Sequence, residues 1–563
     1  MTQPRFEIGL VMAGAISAGA YSAGVLDFLV EAMDAWERAK RDAPAEAPPH
    51  CTALKVVTGA SAGSIAGAIL AACLKHDFPH VTLDNRGQAG AANPLYDSWV
   101  NRIDIAELLG TRDVADGRKA LSALDSTVLL EIAQRAMDYG GNVAAIDRPW
   151  LCDPLRFIFT LTNLRGVPYQ YALGGSQTLG MDMTRHGESM RFALSGLGTV
   201  VAPARRANEY PLAYPAPGVP KWSTWGSPFA LAAVASGAFP LGLAPRALTR
   251  NTADYVDEPV VVPAGADMPA EIRPIRPSWS AGINPDPGAA YNFVCVDGGT
   301  IDNEPIELAR IELADGDPLG RNARDGASAD RAILLIDPFA GAEKPGPATL
   351  AETNLLGSAF SLLGALKNQA RFNPADIALA SDESIYSRFL VSPARPGASA
   401  GNSAYAIACG SLGGFGGFFS QSYREHDYFL GRRNCQRFLQ LHFTLPSQNP
   451  LFAQWTQPMR DKFRVPAAVG AGYELPIVPL MPAVHPDTYE QKAAPWPLDR
   501  IDPDELSDAV SDRLDALYDS FVGGFRGLFL SIGWAIYLRP KLRELVLGKI
   551  RSGLEDHKLL TRR

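Results

Sequence analysis

Short, almost wholly apolar runs recur along the chain, each closed by glycine and followed by a stretch of helical spacing. Residues 6–12 (FEIGLVM) read as a buried strand, and 13–24 (AGAISAGAYSAG) carry so little bulk that another backbone can approach closely. From 25 to 40 the apolar positions Val25, Leu26, Leu29, Val30, Met33 and Trp36 share one helical face. A Pro/Ala loop leads to a second strand over 53–58, a sharp turn and a small-residue helix over 65–74. This βαβ opening predicts an α/β fold, with a parallel, largely buried sheet and helices on its faces.

Further along, 84–150 read as helical with polar loops, 154–163 (PLRFIFTLTN) as a strand, and 166–173 as its hairpin partner. The Pro-, Arg- and Tyr-rich stretch 183–225 reads as irregular. A small-residue helix over 228–242 runs into a turn at Phe239-Pro240, a strand over 293–296 ends at Asp297-Gly298-Gly299, and 332–336 (AILLI) complete the sheet. Near residue 345 the character changes. An amphipathic helix over 350–370, a Gly/Phe-rich segment over 410–419 (a flexible lid element or a plain loop), a mixed-charge helix over 422–439, a Pro-rich irregular stretch over 446–500 and helix over 505–547 follow. The expected organisation is an α/β domain over 1–345 and a mainly helical accessory region over 346–563.

Composition narrows the classes. A chain of 563 residues exceeds one typical core, and 47% apolar with 20% charged residues fits a soluble globular protein. A net charge of −8 argues against a nucleic-acid partner. Six cysteines, scattered at 51, 73, 152, 295, 409 and 435 with no paired spacing, suit reduced thiols in a cytoplasmic protein and give no zinc site. Arg5 followed by an Ala-rich run has the outline of a signal peptide. Glu7, four glycines over 9–25 and the unbroken helix that follows favour a strand, turn and helix instead.

The candidate chemistry centres on Gly59-Ala60-Ser61-Ala62-Gly63. Gly-x-Ser-x-Gly between a strand and a helix is the nucleophile-elbow pattern, which exposes a serine Oγ beside a helix N-terminus with unpaired N–H groups; the bland alternative is a small-residue βα turn with no chemistry. A serine needs a base. A Ser-Asp-His triad would draw its histidine from His426, His442, His485 or His557, yet His426 falls on a helix between two acids and His442 in a strand-like run. A dyad would use an aspartate at a strand end beside an open turn, which 294–299 supply through Asp297; alone, Asp297 would be an ordinary Asp-Gly turn.

Taken together, these residues resemble the patatin-like phospholipase family. Its blocks are a glycine-rich oxyanion loop after the first strand, the Gly-x-Ser-x-Gly elbow, an Ala-Ser-x-Ala-x-Pro block and an Asp-Gly-Gly/Ala motif. They are matched in order by 14–26, by 59–63, by Ala235-Ser236-Gly237-Ala238-Phe239-Pro240 and by 297–299, with Asn303 and Pro305 fitting after them. The resemblance covers about residues 6–340 and implies a three-layer α/β/α domain with a mostly parallel sheet. It implies Ser61 as nucleophile, Asp297 as its base, no histidine, no metal and no cofactor. Backbone N–H groups of Gly14, Ala15, Ile16 and Ala62 would form the oxyanion hole, with Gly19, Gly59, Gly63, Gly298 and Gly299 shaping the turns. The expected activity is hydrolysis of lipid acyl esters.

The oxyanion loop departs from the family's Gly-Gly-Gly-x-Arg-Gly: this chain reads Gly14-Ala15-Ile16-Ser17-Ala18-Gly19. Should Ala15 or Ile16 need a positive φ, its Cβ opposes the active geometry, most of all at β-branched Ile16. Losing one donor costs on the order of 10²–10³ in rate. A lipid-binding or scaffold protein with little catalysis is therefore one alternative, and a histidine-triad esterase on an α/β-hydrolase fold is another. Finally, 521–538 (FVGGFRGLFLSIGWAIYL) precede Arg539, Lys541, Arg543 and Lys549. That pattern suits peripheral membrane contact through 521–543 or a lid on the acyl channel, against a helix simply buried on the catalytic domain.

Overall fold

The computed structural model describes residues 4–140, 143–172, 180–216, 218–256, 258–279, 288–339, 347–350, 355–371, 379, 382, 384–395, 406–467, 472–492, 494–497, 501–522, 534 and 538–560. Strand β1 (Arg5–Met12) leads to helix α1 (Gly19–Asp42), β2 (Cys51–Gly59) and α2 (Ala62–Cys73). After several short helices come β3 (Leu151–Ala172), β4 (Gly180–Ser195), β5 (Val200–Val201), β6 (Glu209–Ala213), α3 (Leu231–Ser236) and β7 (Arg246–Asn251). A ribbon of β8 (Glu258–Val262) and β9 (Glu271–Ile275) precedes β10 (Ala290–Asp297), α4 (Ile306–Leu313) and β11 (Arg331–Ile336). Then follow α5 (Leu355–Gln369), β12 (Arg388–Val391) and α6 (Gln421–Leu441).

The central sheet runs β12-β11-β1-β2-β3-β10-β7, with β4, β5 and β6 joined beside β3. From β12 to β3 every pairing is parallel, while β10 is antiparallel to both β3 and β7. The fold is α/β, three-layered, with a mostly parallel sheet. The strands' two-residue period divides the core. Phe6, Ile8, Leu10 and Met12 of β1 face the layer built by α1, α2 and α6. Val11, Val56, Ile333 and Leu335 face Ile306, Ala309 and Leu313 of α4 on the other side.

The bulk-free 13–24 stretch is explained by α6. Helix α1 starts at Gly19, six residues before its apolar spacing begins, and α6 crosses it there. A Cβ on Gly24 would stand 1.9 Å from the Tyr428 carbonyl oxygen, and one on Gly431 would stand 2.2 Å from that of Tyr21. The crossing carries a buried charge cluster in which Arg432 donates to Asp27 and Glu31 while His80 Nδ1 lies 2.8 Å from Asp27 Oδ1. Helix 16–42 is long and apolar enough to cross a membrane, but 89% of its apolar window is buried inside the protein.

Several expectations are corrected. The expected hairpin of 154–163 with 166–173 is not found: the described part of it is one strand, β3, with a register shift between Thr162 and Val167, and its partner is β4. Much of 183–225, expected irregular, forms β4, β5 and β6. The outer part of β4 (182–186) is exposed on both faces, so no apolar alternation marks it. The Pro-rich 446–500 stretch supplies Val465–Pro466 and Tyr473–Pro476 to a small sheet with Thr444–Pro446, strands too short to show a period. The change of character near 345 does not separate two cores, because β12 extends the central sheet beyond β11 and α6 packs on α1. Segment 410–419 is two tight turns, Ser411–Gly414 and Gly416–Phe418, largely buried rather than a free loop. Most of the apolar 521–538 stretch lies outside the described residues. Of it, Trp534 donates to Asp515 Oδ1 at 2.9 Å and stacks on Tyr518.

Candidate active site

Strand β2 ends in a turn so tight that Gly59 and Gly63 nearly touch: a Cβ on Gly59 would lie 2.6 Å from the Gly63 carbonyl carbon. A Cβ on Gly63 would lie 2.3 Å from the Met12 carbonyl oxygen of β1. Between them Ser61 takes φ 53°, ψ −125°, a conformation that costs a non-glycine residue about 1–3 kcal/mol and persists only where surroundings over-determine it. Here the surroundings include Ser236 at the end of α3. Its buried Oγ accepts the Ser61 N–H at 2.9 Å and the Ser64 hydroxyl at 2.8 Å. The sequence marks Ser236 within a motif block but assigns it no role.

Asp297 arrives by a route the parallel reading does not contain. Strand β3 overshoots the end of β2, and β10 runs back along the overhang. It places Asp297 opposite Leu161, two residues beyond Phe159, the partner of Gly59. Ser61 Oγ donates to Asp297 Oδ2 at 2.8 Å, and Asp297 Oδ1 accepts the Gly299 N–H at 2.7 Å. The Asp297 N–H donates to the Ala238 carbonyl and its own carbonyl accepts from Thr162 Oγ. Gly298 allows this closeness, since its Cβ would fall 2.1 Å from the Thr160 carbonyl oxygen. Both Ser61 and Asp297 are 4% exposed.

The loop after β1 lies across from the elbow. The Ala13 N–H donates to Ile336 O and the Gly14 N–H to Asn303 O at 3.2 Å. Gly14 is therefore corrected from oxyanion donor to spacer: a Cβ there would strike Asn303 Oδ1 at 2.3 Å and Ser61 Cβ at 3.0 Å. No acceptor is found among the described residues for the N–H groups of Ala15, Ile16 and Ala62. Ala15 keeps φ −144°. Ile16, the β-branched residue, sits at φ 48°, the strained outcome the altered loop raised. Gly19 opens α1 against the Trp99 ring, 2.2 Å from where its Cβ would be. Ser61, Asp297, Gly14, Ile16, Phe239 and Pro240 help enclose a cavity of about 20 Å³, room for one water.

No histidine lines that cavity. His426 Nδ1 is engaged by Asp427 at 2.7 Å, His485 Nδ1 accepts from the Asp487 N–H, His557 Nδ1 lies 3.0 Å from Gly553 O, and His442 is exposed at the end of α6.

Behind Asn303 lies a charged group that the sequence reading missed. Asn303 Nδ2 donates to Glu304 Oε1 at 2.8 Å, Arg371, just past α5, donates to the same oxygen at 3.0 Å, and Arg371 also pairs with Asp337. Burial, then Asp337, push the Glu304 carboxyl up to about 7 against Arg371 and Asn303. An acid raised in the folded state binds its proton more tightly there, so its contribution to stability is present at low pH. That contribution is lost as pH rises from 4.5 through about 7. Glu304→Gln is expected to flatten that limb when denaturant midpoints are compared from about pH 5 to about pH 8; an unchanged limb would assign it to other groups.

No protein-family model matches the chain. The uncharacterized protein y4iI of Sinorhizobium fredii (strain NBRC 101917 / NGR234) is 35% identical over 519 residues, 86% of this chain and 71% of that protein.

Proposed function

This chain belongs to the same family as that rhizobial protein, and we propose that it is a serine acyl hydrolase of the patatin-like kind, acting on lipid esters. The observation that carries the reading is the 2.8 Å hydrogen bond from Ser61 Oγ to the Asp297 carboxylate at the tip of a strand-turn-helix elbow. In this reading Ser61 Oγ attacks the ester carbonyl carbon as Asp297 accepts the hydroxyl proton. The oxyanion faces the N–H groups of Ala15, Ile16 and Ala62, dipoles fixed before the charge develops. Collapse expels the alcohol, which leaves with the proton from Asp297. Water then attacks the acyl-enzyme, giving a proton to Asp297, and the carboxylic acid departs as that proton returns to Ser61 Oγ.

Apolar surroundings favour an acyl substrate. Ile16 and Phe239 border Ser61, and an apolar cavity of about 30 Å³, with Ile65, Ala68, Ile69 and Trp99 in its wall, lies along α2 from its first turn. Peripheral membrane contact through 521–543 belongs to the same proposal, supported by exposed Phe521 and Leu538 at the described ends of the apolar stretch and by Arg539, Lys541 and Arg543 after it. A second reading, a lipid-binding protein with little catalysis, is favoured by the one-water cavity and the strained Ile16.

A fluorophosphonate probe separates the two. Labelling of wild type but not of Ser61→Ala, with hydrolysis of a short-chain p-nitrophenyl ester or a lysophospholipid, is the expected result. A wild type that neither labels nor hydrolyses would leave the binding protein.

A further inference from the structure

Ile16 holds a positive φ that a β-branched side chain resists, so the loop must be held from outside. The holding contacts come from a strap formed by 408–418, nearly four hundred residues away. Ser17 Oγ donates to Gly414 O at 2.5 Å and accepts the Gly417 N–H at 2.9 Å, using its donor and one acceptor site on the strap. The Ile16 side chain lies against the same segment, its Cδ1 3.3 Å from where a Gly414 Cβ would stand. Phe415 of the strap meets Phe239, a wall of the Ser61 cavity, edge to face at 5.5 Å.

The strap is anchored in turn to α6. Asp427 accepts the N–H groups of Ala408 and Cys409 at 2.8 and 2.9 Å, and Arg424 donates to Gly417 O at 2.6 Å. Asp427 is fully buried and Arg424 nearly so. The loop is thus pinned on one side by the Ala13 N–H on Ile336 O and on the other by Ser17.

We propose that Ser17 is a positioning residue for the oxyanion hole: by locking the loop to the 408–418 strap it holds Ile16 in the left-handed geometry that glycine would adopt unaided. The proposal rests on the hydrolase reading for its kinetic consequence. Its structural half, that the strap offsets the strain at Ile16, stands on the hydrogen bonds alone.

The test is a double-mutant cycle with Ser17→Ala and Ile16→Gly in the full-length chain, read by p-nitrophenyl ester kinetics, fluorophosphonate labelling rate and thermal midpoint. Ser17→Ala is expected to lower kcat on the order of 10- to 100-fold with KM little changed. In the Ile16→Gly background the same substitution should cost less than about threefold, because glycine holds a positive φ without help. The drop in thermal midpoint should shrink in that background too, which tests the proposal even in a protein that hydrolyses nothing. Gly414→Ala, with φ +102° and Phe339 Cζ 3.2 Å from the added Cβ, displaces the strap while leaving the Ser17 hydroxyl intact and should reproduce the kcat loss. Equal losses from Ser17→Ala in both backgrounds, in rate and in midpoint, would overturn the proposal. Absence of labelling in wild type with the stability coupling present would instead reject the hydrolase reading and keep the strap.

Discussion

Asp297→Asn is expected to lower kcat for an acyl ester by on the order of 10³- to 10⁴-fold, with KM close to wild type. The amide matches the carboxylate in size, so the strand end and the turn at Gly298-Gly299 can keep their shape. What disappears is the group able to receive the Ser61 proton as Oγ attacks, and no histidine borders the cavity to take its place. Steady-state kinetics on a p-nitrophenyl ester measure this directly. A variant retaining more than about a tenth of wild-type kcat would remove Asp297 from the role of base, since general-base catalysis contributes about 10²–10⁴.

The largest expected effect on folding lies at the α1–α6 crossing. Arg432→Ala should destabilise the protein by about 3–5 kcal/mol, because removing one member of a buried ion pair leaves the other charge desolvated and uncompensated. Burial opposes the Asp27 charge, but Arg432 and then His80 more than offset it, holding the carboxyl well below the usual carboxylate range. Arg432 also donates to Gln491 Oε1 at 3.1 Å, so the truncation strands a third partner. Denaturant midpoints would show the loss, and a change under about 1 kcal/mol would mean that water reaches Asp27 once the arginine is gone.

The elements legible in the sequence are those whose signal is local. Ser61 and Asp297 stand at strand ends with glycine on their flanks, and the turns that aim them are built from those same residues. Strands β1, β2 and β11 show as apolar runs because both their faces are buried. Strand β4 does not, because 182–186 are exposed on both sides. The antiparallel return of β10 depends on how far β3 overshoots β2, a length set by pairing and not by any one residue. Ser236, Arg371 and the strap reach the site across long separations: Ser236 bonds Ser61 from 175 positions away and Gly414 bonds Ser17 from 397. At such separations the sequence can mark a residue, as it marks Ser236 within a motif block, but cannot say what it bonds until the chain is folded. Ile16 shows the limit from the other side: its strain follows from the residue type once φ is known, but φ is fixed by partners elsewhere.

The bond between Ser17 and Gly414 also sets a schedule. During synthesis at about 5–20 residues per second, Ser17 precedes Gly414 by roughly 20–80 s. The elbow and the first strands can form in that interval, but the loop opposite Ser61 has no strap to lie against and β12 has not yet closed the sheet edge. If the proposed hydrolase reading holds, an unfinished or prematurely terminated chain would carry Ser61 without a fixed loop opposite it, and would stay inert until the last third of the protein is in place.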